Sequence, residues 1–381
     1  MFESGPITVA ASVSQTGRFA QLGGEVGRGY QLGIEMLNEK GGIAGREVEL
    51  ILTDDGSDVL QSENIYGSFA GTRSDVFLGP YSSPLTEIAV AIAEASGKPM
   101  VAPMAAAPGI WESQHRQWSV QMLNPGPTYL QGSVELAAQN GAESAALVYE
   151  DSQFPASVAD GIREAARAHG VEIVLDRSYP VDQADHEGLV SAAMEAGADL
   201  FIGGGYYDDA VAFTRAVHAV GYKPLMVSLN LGAAQPDFAD QLGDLARCVA
   251  GNAPWLPTIR TSGFLATSEE FVQRYQAVHG SAPSYYAAGG FGAVELLAEA
   301  MTAAGGVEVL DRHAIRDQLF SLTTETVLGP FGVHPMGDPN SGAQRALKGL
   351  QVQWQDDGAG GLTRRIVHPP SAANADPCFL R

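Results

Sequence analysis

The sequence predicts an α/β protein of two lobes, each a parallel sheet with helices on both faces. Two observations carry this. Apolar runs of strand length alternate with longer stretches whose apolar residues recur with helical period, and the alternation restarts midway along the chain. Right-handed crossovers between parallel strands then put helices on both faces, with ligands outside the carboxyl ends of the strands.

The first series opens with ITVAASV, an aliphatic, β-branched run. A helix over 23–40 follows. Next come VELILTDD, a helix over 58–71, VFLGP, a helix over 84–96 and PMVAP. After WSVQMLNPGP the pattern resumes with a helix over 127–140, SAALVYED, a helix over 156–169 and VEIVLD. It continues with a helix over 186–196, DLFIGGG, a helix over 207–220 and PLMVSLN. VAGNAPW leads into helices over 267–279, 284–304 and 311–321, then TVLGPFGVHPMGD and a strand-rich tail containing LKGLQVQW and RRIVHPP. Gly/Pro-punctuated extended segments near 121, 252 and 328 are the candidate crossings from lobe to lobe.

Composition excludes several classes of function. The chain has 381 residues, 45% hydrophobic and 17% charged, enough for two cores of ordinary size. No window approaches the ~18 uninterrupted apolar residues that span a bilayer. Formal charge is −22 and the 22 Lys and Arg are scattered singly, which argues against nucleic acid. Cys248 and Cys378 are too few and too separated for a cysteine zinc site. They stand 130 positions apart, and a bridge closing such a loop stabilises by ~4–5 kcal/mol in the chain-entropy model, in an oxidising compartment. Two buried thiols are the other reading. MFESGPITVAASV has neither a basic start nor a long apolar run, so either the chain is cytoplasmic or it is a mature exported form whose signal peptide has been removed.

Reactive constellations are missing. SQTGRFAQLGGEVGRG has its glycines misplaced for a dinucleotide fingerprint, and none of the four lysines sits in a P-loop. Ser82 and Ser83 in GPYSSPL lack the second glycine of a serine elbow. The histidines, among them His169, His279 and His313, are isolated and read as solvated helix residues, and no metal site is expected. Asp54-Asp55 and Glu150-Asp151 follow strands, where acidic residues open turns and cap helices. No catalytic residue and no cofactor are expected. GPYSSP instead suits a helix start, with Ser83 as N-cap and Pro84 in the first turn. The open N–H groups and partial positive charge of that helix end favour a carboxylate, and PMAAAPG opposite leaves backbone accessible. A plain cap beside a small-residue turn is the alternative.

ITVAASVSQTGRFAQLGGEVGRGYQLGIEMLNEKGGIAGREVELILTDDGSD, LGPYSSPLT, KPMVAPMAAAPGIW, ALVYEDSQF, GGGYYDDA and TVLGPFGVHPMGD resemble the leucine/isoleucine/valine-binding family of ABC-transporter solute-binding proteins. The resemblance covers nearly the whole chain. It implies a type I periplasmic-binding-protein fold: two Rossmann-like lobes joined by three hinge crossings, with residues 1–121 and 253–327 in the first lobe and 122–252 and 328–381 in the second. It also implies a periplasmic, monomeric, non-enzymatic protein that closes on a small ligand and presents it to a membrane permease. A cytoplasmic ligand sensor of the same fold is the alternative role.

Residue by residue, the resemblance makes Ser83, with Ser82, the grip on a ligand carboxylate. Ala105 and Ala106 stand where the family offers a backbone N–H and a hydroxyl, and here the hydroxyl is gone. Phe154 keeps the ring of a position that is usually Tyr, and Tyr206 or Tyr207 supplies the covering aromatic of the second lobe. Where amino-acid binders place an acid for the ammonium, PLMVSLNLG has Leu229 and Asn230. An ammonium buried there without a counter-charge would cost several kcal/mol, so a carboxylate with an aromatic or aliphatic body is expected rather than a zwitterion. Branched-chain or other amino acids and amides are the alternative ligands. Arg18 is a second candidate charge for the anion or a solvated loop residue, and Trp111 and Tyr286 line an apolar pocket or pack the first lobe.

Overall fold

The computed structural model describes residues 5–72, 74–181, 183–305 and 310–380. The chain divides into two compact units, one of the residues through Asn124 with Pro254–Lys348, the other of Pro125–Ala253 with Gly349 onward.

The first unit begins with β1 (Ile7–Val13), α1 (Ala20–Glu39), β2 (Val48–Asp54), α2 (Val59–Gly71), β3 (Val76–Leu78), α3 (Ser83–Ser96), β4 (Met100–Ala102), α4 (Pro108–Trp111) and β5 (Ser119–Gln121). Its strands form a parallel sheet in the order β2-β1-β3-β4-β5. The order reverses direction at β1 and β3, so the crevice for a ligand lies at the carboxyl ends of those two strands.

The second unit begins with α5 (Gln131–Gln139), β6 (Ser144–Glu150), α6 (Gln153–His169), β7 (Glu172–Tyr179), α7 (His186–Glu195), β8 (Leu200–Gly204), α8 (Tyr207–Ala219), β9 (Met226–Leu229), α9 (Phe238–Leu242) and β10 (Val249–Ala253). The chain then returns to the first unit for α10 (Ser268–His279), α11 (Tyr285–Ala303), α12 (Arg312–Ser321), β11 (Thr323–Thr326) and β12 (Gly329–Gly332). It ends in the second unit with β13 (Leu350–Asp356) and β14 (Leu362–His368). The second sheet has the order β14-β13-β10-β9-β8-β6-β7, parallel except for its two antiparallel final strands.

Glycine sets the approach of α1 to α11. A Cβ on Gly29 would meet the Ala287 carbonyl oxygen at 2.2 Å, and one on Gly290 would meet that of Val26 at 2.3 Å. The two helices therefore touch backbone to backbone, which only a residue without a side chain permits. In the same unit Glu295 of α11 is fully buried and accepts from the N–H groups of Val327 (2.7 Å), Leu265 (3.0 Å) and Ala266 (3.3 Å). Burial pushes its carboxyl up to about 7 against those three donors.

The last crossing differs from the expected one. Segment 328–348, expected in the second lobe, belongs to the first unit. β12 pairs with β11, the Gln121 N–H donates to the Gly342 carbonyl (2.8 Å), and Gln344 Nε2 donates to the Met122 carbonyl (2.9 Å). The last two ties are long-range in sequence and leave no periodic trace.

Candidate functional site

The turn after β3 is built by buried tyrosines. Tyr66 Oη donates to the Leu78 carbonyl (2.5 Å), Tyr30 Oη to that of Gly79 (2.6 Å) and Thr86 Oγ1 to that of Pro80 (2.9 Å). These bonds hold GPYSSP rigidly at the switch point of the first sheet. Ser82, not Ser83, is the N-cap of α3, with Pro84 in the first turn. The two hydroxyls then have different duties. Ser83 Oγ accepts from the Ala107 N–H (3.3 Å), tying α3 to the turn after β4. Ser82 Oγ is buried, 2% exposed, and has no partner.

The turn after β4 faces the same end of the first unit. Ala105 and Ala106 are buried, and neither N–H donates to an acceptor among the described residues. The Ala105 carbonyl is held from behind by Trp111 Nε1 (3.0 Å) and Gln121 Nε2 (3.0 Å). Trp111 is thus a buried support for this turn, its N–H engaged with protein. A carboxylate placed here would meet a free hydroxyl, two free N–H groups and the positive end of a 14-residue helix.

Aromatic rings flank that edge. Phe19 meets Tyr81 edge-on at 5.7 Å, Tyr81 meets Tyr286 at 5.4 Å, and Tyr286 stacks on Tyr285 at 4.0 Å. Tyr286 is buried in this row. Arg18 is exposed with its guanidinium 5.3 Å from the Phe19 ring centre.

Neighbouring carboxylates hold loops. Asp55 is fully buried and accepts from Ser14 Oγ (2.6 Å) and Ser12 Oγ (2.8 Å); burial raises its pKa against these donors. Asp54 is slightly desolvated, but N–H groups of Gly56, Gln15 and Thr16 outweigh this and lower its pKa. Glu150, at the end of β6, is buried and accepts from Ser152 Oγ (2.5 Å). None of these pairs is set out as an acid and a base.

In the second unit the switch point lies at β6 and β8. Phe154, in the first turn of α6, is buried and meets Tyr129 edge-on at 5.2 Å and Tyr206 at 6.4 Å. Tyr206 is the N-cap of α8, its N–H donating to Asp209 (3.0 Å). Tyr207 lies against Gly232, whose φ of +94° and missing Cβ let the loop after β9 close on the start of α8. Phe154, Tyr129 and Tyr206 therefore form one aromatic cluster at this edge. Asn230 follows β9, 1% exposed, with neither amide atom partnered.

With both edges described, comparison with known proteins decides the family. A family model described as periplasmic binding protein matches residues 6–359. The chain belongs to the periplasmic binding protein family. A Leu/Ile/Val-binding protein homolog 7 of Brucella abortus is 28% identical over 379 residues, covering 94% of this chain and 90% of that protein. A branched-chain amino acid transporter substrate-binding protein from Streptococcus pneumoniae, solved with isoleucine, superposes with a TM-score of 0.81 at 19% identity, covering 96% of this chain and 100% of that one. An ABC-transporter solute-binding protein from R. palustris, solved with benzoate, gives 0.79 at 17%, covering 98% and 99%. This periplasmic binding protein is therefore a solute-binding protein and not an enzyme. Among its described residues no helix is long and apolar enough to cross a membrane.

Three further buried polar groups escape sequence reasoning. Gln235 Nε2 and both amide atoms of Asn252 in the second unit, and Trp255 Nε1 in the first, have no partner. Their only signal is a polar group inside an apolar run after a strand, as in LGAAQP and VAGNAPW.

The two cysteines lie together in the second unit. Cys248, just before β10, and Cys378 form a disulfide with their Cα atoms 5.3 Å apart. The Cys378 N–H donates to Gln353 Oε1 (2.9 Å), which fixes the tail along β13.

Proposed function

We propose that this periplasmic binding protein is the extracytoplasmic receptor of an ABC uptake transporter and that its ligand is a small carboxylate with an aromatic or aliphatic body. The observation that carries the reading is the Ser82 hydroxyl, buried and unpartnered at the N-terminus of α3 beside the open N–H groups of Ala105 and Ala106. A buried donor without an acceptor is unfavourable by ~1–3 kcal/mol, and an anion seated there removes that penalty. Leu229 and Asn230 favour an acid over a zwitterion, because they offer an ammonium no charge. The Tyr81–Tyr286 row beside the serines supplies apolar surface for the body of the ligand. The disulfide supports an oxidising compartment. A membrane permease is the expected partner of the ligand-loaded monomer.

The test is a thermal-shift screen over aliphatic and aromatic acids, amino acids and amides. A ligand at 100 times its Kd stabilises the protein by ~2.7 kcal/mol. Shifts with simple acids are expected. Strong shifts with leucine or valine and none with simple acids would overturn the choice of ligand.

A further inference from the structure

The turn between β9 and α9 is braced by a cation with no carboxylate bonded to it. A Cβ on Gly251 would come within 2.9 Å of Ala233 Cβ, so the turn crosses one face of β10. Gly251 is the register partner of Val352 on β13. Trp354, two residues further, shares that face with its own register partner Arg364 on β14. From there Trp354 Nε1 donates to the Ala233 carbonyl (2.6 Å) and Arg364 Nη1 to that of Ala234 (2.6 Å). All of these residues belong to the second unit. Ala250 pairs with Gln353, which puts Trp354 and Arg364 towards the amino end of β10, away from its carboxyl edge.

Arg364 is desolvated here without being neutralised. Burial pulls its guanidinium down to about 10, against the charge of Asp237. Among the described residues Arg364 forms no ion pair, and its one hydrogen bond goes to a neutral carbonyl. The guanidinium carbon lies 5.6 Å from the Trp354 indole centre. That contact orients the group but restores only part of the hydration a buried cation loses. The other donors of the guanidinium fork make no bond within the protein. Gln235, next in the chain after Ala234, is 3% exposed, and its Nε2 also lacks a partner.

The chemistry of these groups narrows the occupant. Both are donors and one is charged, so a cation is repelled. A neutral hydroxyl leaves the charge unmatched. A halide has no second atom for the fork, whereas a planar guanidinium matches two oxygens of one oxyanion.

We propose that Arg364 and Gln235 hold a small oxyanion, a carboxylate or a sulfate-like group, in a site of the second unit separate from the carboxylate grip. The anion neutralises Arg364 and takes up the free Gln235 N–H, which fixes the turn more firmly to β14. The test is calorimetric titration of the intact protein with sulfate and with acetate at constant ionic strength set by chloride, together with crystals grown in selenate. Saturable binding of at least one of the two anions is expected, with an anomalous selenium peak beside the Arg364 guanidinium. Gln235→Leu should weaken that binding at least fivefold, and Arg364→Lys, which keeps the charge but not the fork, at least tenfold. Neither anion binding beyond chloride, affinity unchanged in both variants, or a selenium peak only at the turn after β3 would overturn the site.

Discussion

Ser82→Ala and Ser83→Ala should have stability effects of opposite sign. The Ser82 hydroxyl is buried and makes no bond in the protein. Deleting it removes an unsatisfied group worth about 1–3 kcal/mol and opens a void of one oxygen atom, so the ligand-free variant should gain about 1 kcal/mol. The same deletion removes a hydrogen bond to a bound carboxylate, worth about 1.5–3 kcal/mol, so affinity should fall about 10- to 150-fold. Ser83 Oγ accepts from the Ala107 N–H at 3.3 Å. Its loss strands a buried backbone donor, and Ser83→Ala should lose about 1–2 kcal/mol. Urea unfolding of the ligand-free proteins reads the first pair of effects, and calorimetric titration with the acid found by screening reads the second. Equal destabilisation by the two variants, or unchanged affinity in Ser82→Ala, would refute the division of labour.

Glu295 predicts a pH dependence. Its pKa in the fold lies above that of the unfolded chain, so its contribution is complete below the ordinary glutamate range and is lost as pH rises towards and through about 7. Wild-type stability relative to Glu295→Gln should fall by about 3 kcal/mol from pH 4.5 to 7.5, and a constant difference across urea titrations would exclude this. Glu295→Gln should itself be destabilised at low pH, because an amide turns an N–H towards one of the three backbone donors. Reducing Cys248–Cys378 should lower the unfolding free energy by about 4–5 kcal/mol; identical urea midpoints with and without reductant would contradict it. Lys98 donates to the carbonyls of Ser74 (2.8 Å), Phe69 (2.9 Å) and Thr72 (3.2 Å). Lys98→Met should cost about 2–4 kcal/mol by stranding them, and a melting temperature equal to wild type would show that water replaces the ammonium.

The fold was legible wherever a strand was long or a helix one-sided. ITVAASV, VELILTD and SAALVYE became β1, β2 and β6 because seven-residue aliphatic runs have one sensible burial. β5 is three residues long, and α4 has four; elements so short are made by their neighbours and have no period to read. The end of the first unit was misplaced for a related reason, since Gln121, Gln344 and Gly342 are joined by hydrogen bonds across more than two hundred residues. At the site, GPYSSP was visible because a strand end, a proline and two serines coincide. Which serine stays free depends on the N–H of Ala107, and no local pattern encodes that. Trp111 illustrates the same limit: its ring suggests a pocket wall, whereas its N–H reveals a strut.

The turn carrying Gln235 is anchored through the carbonyl oxygens of Ala233 and Ala234 and by the closeness of Gly232 to Tyr207. Carbonyls belong to every residue type, so the shape of this turn depends little on the side chains it bears, apart from Gly232. Geometry and recognition are thereby decoupled. Position 235 can be exchanged while Trp354 and Arg364 keep the backbone in place, so a substitution there changes the polarity of this edge and leaves its shape alone.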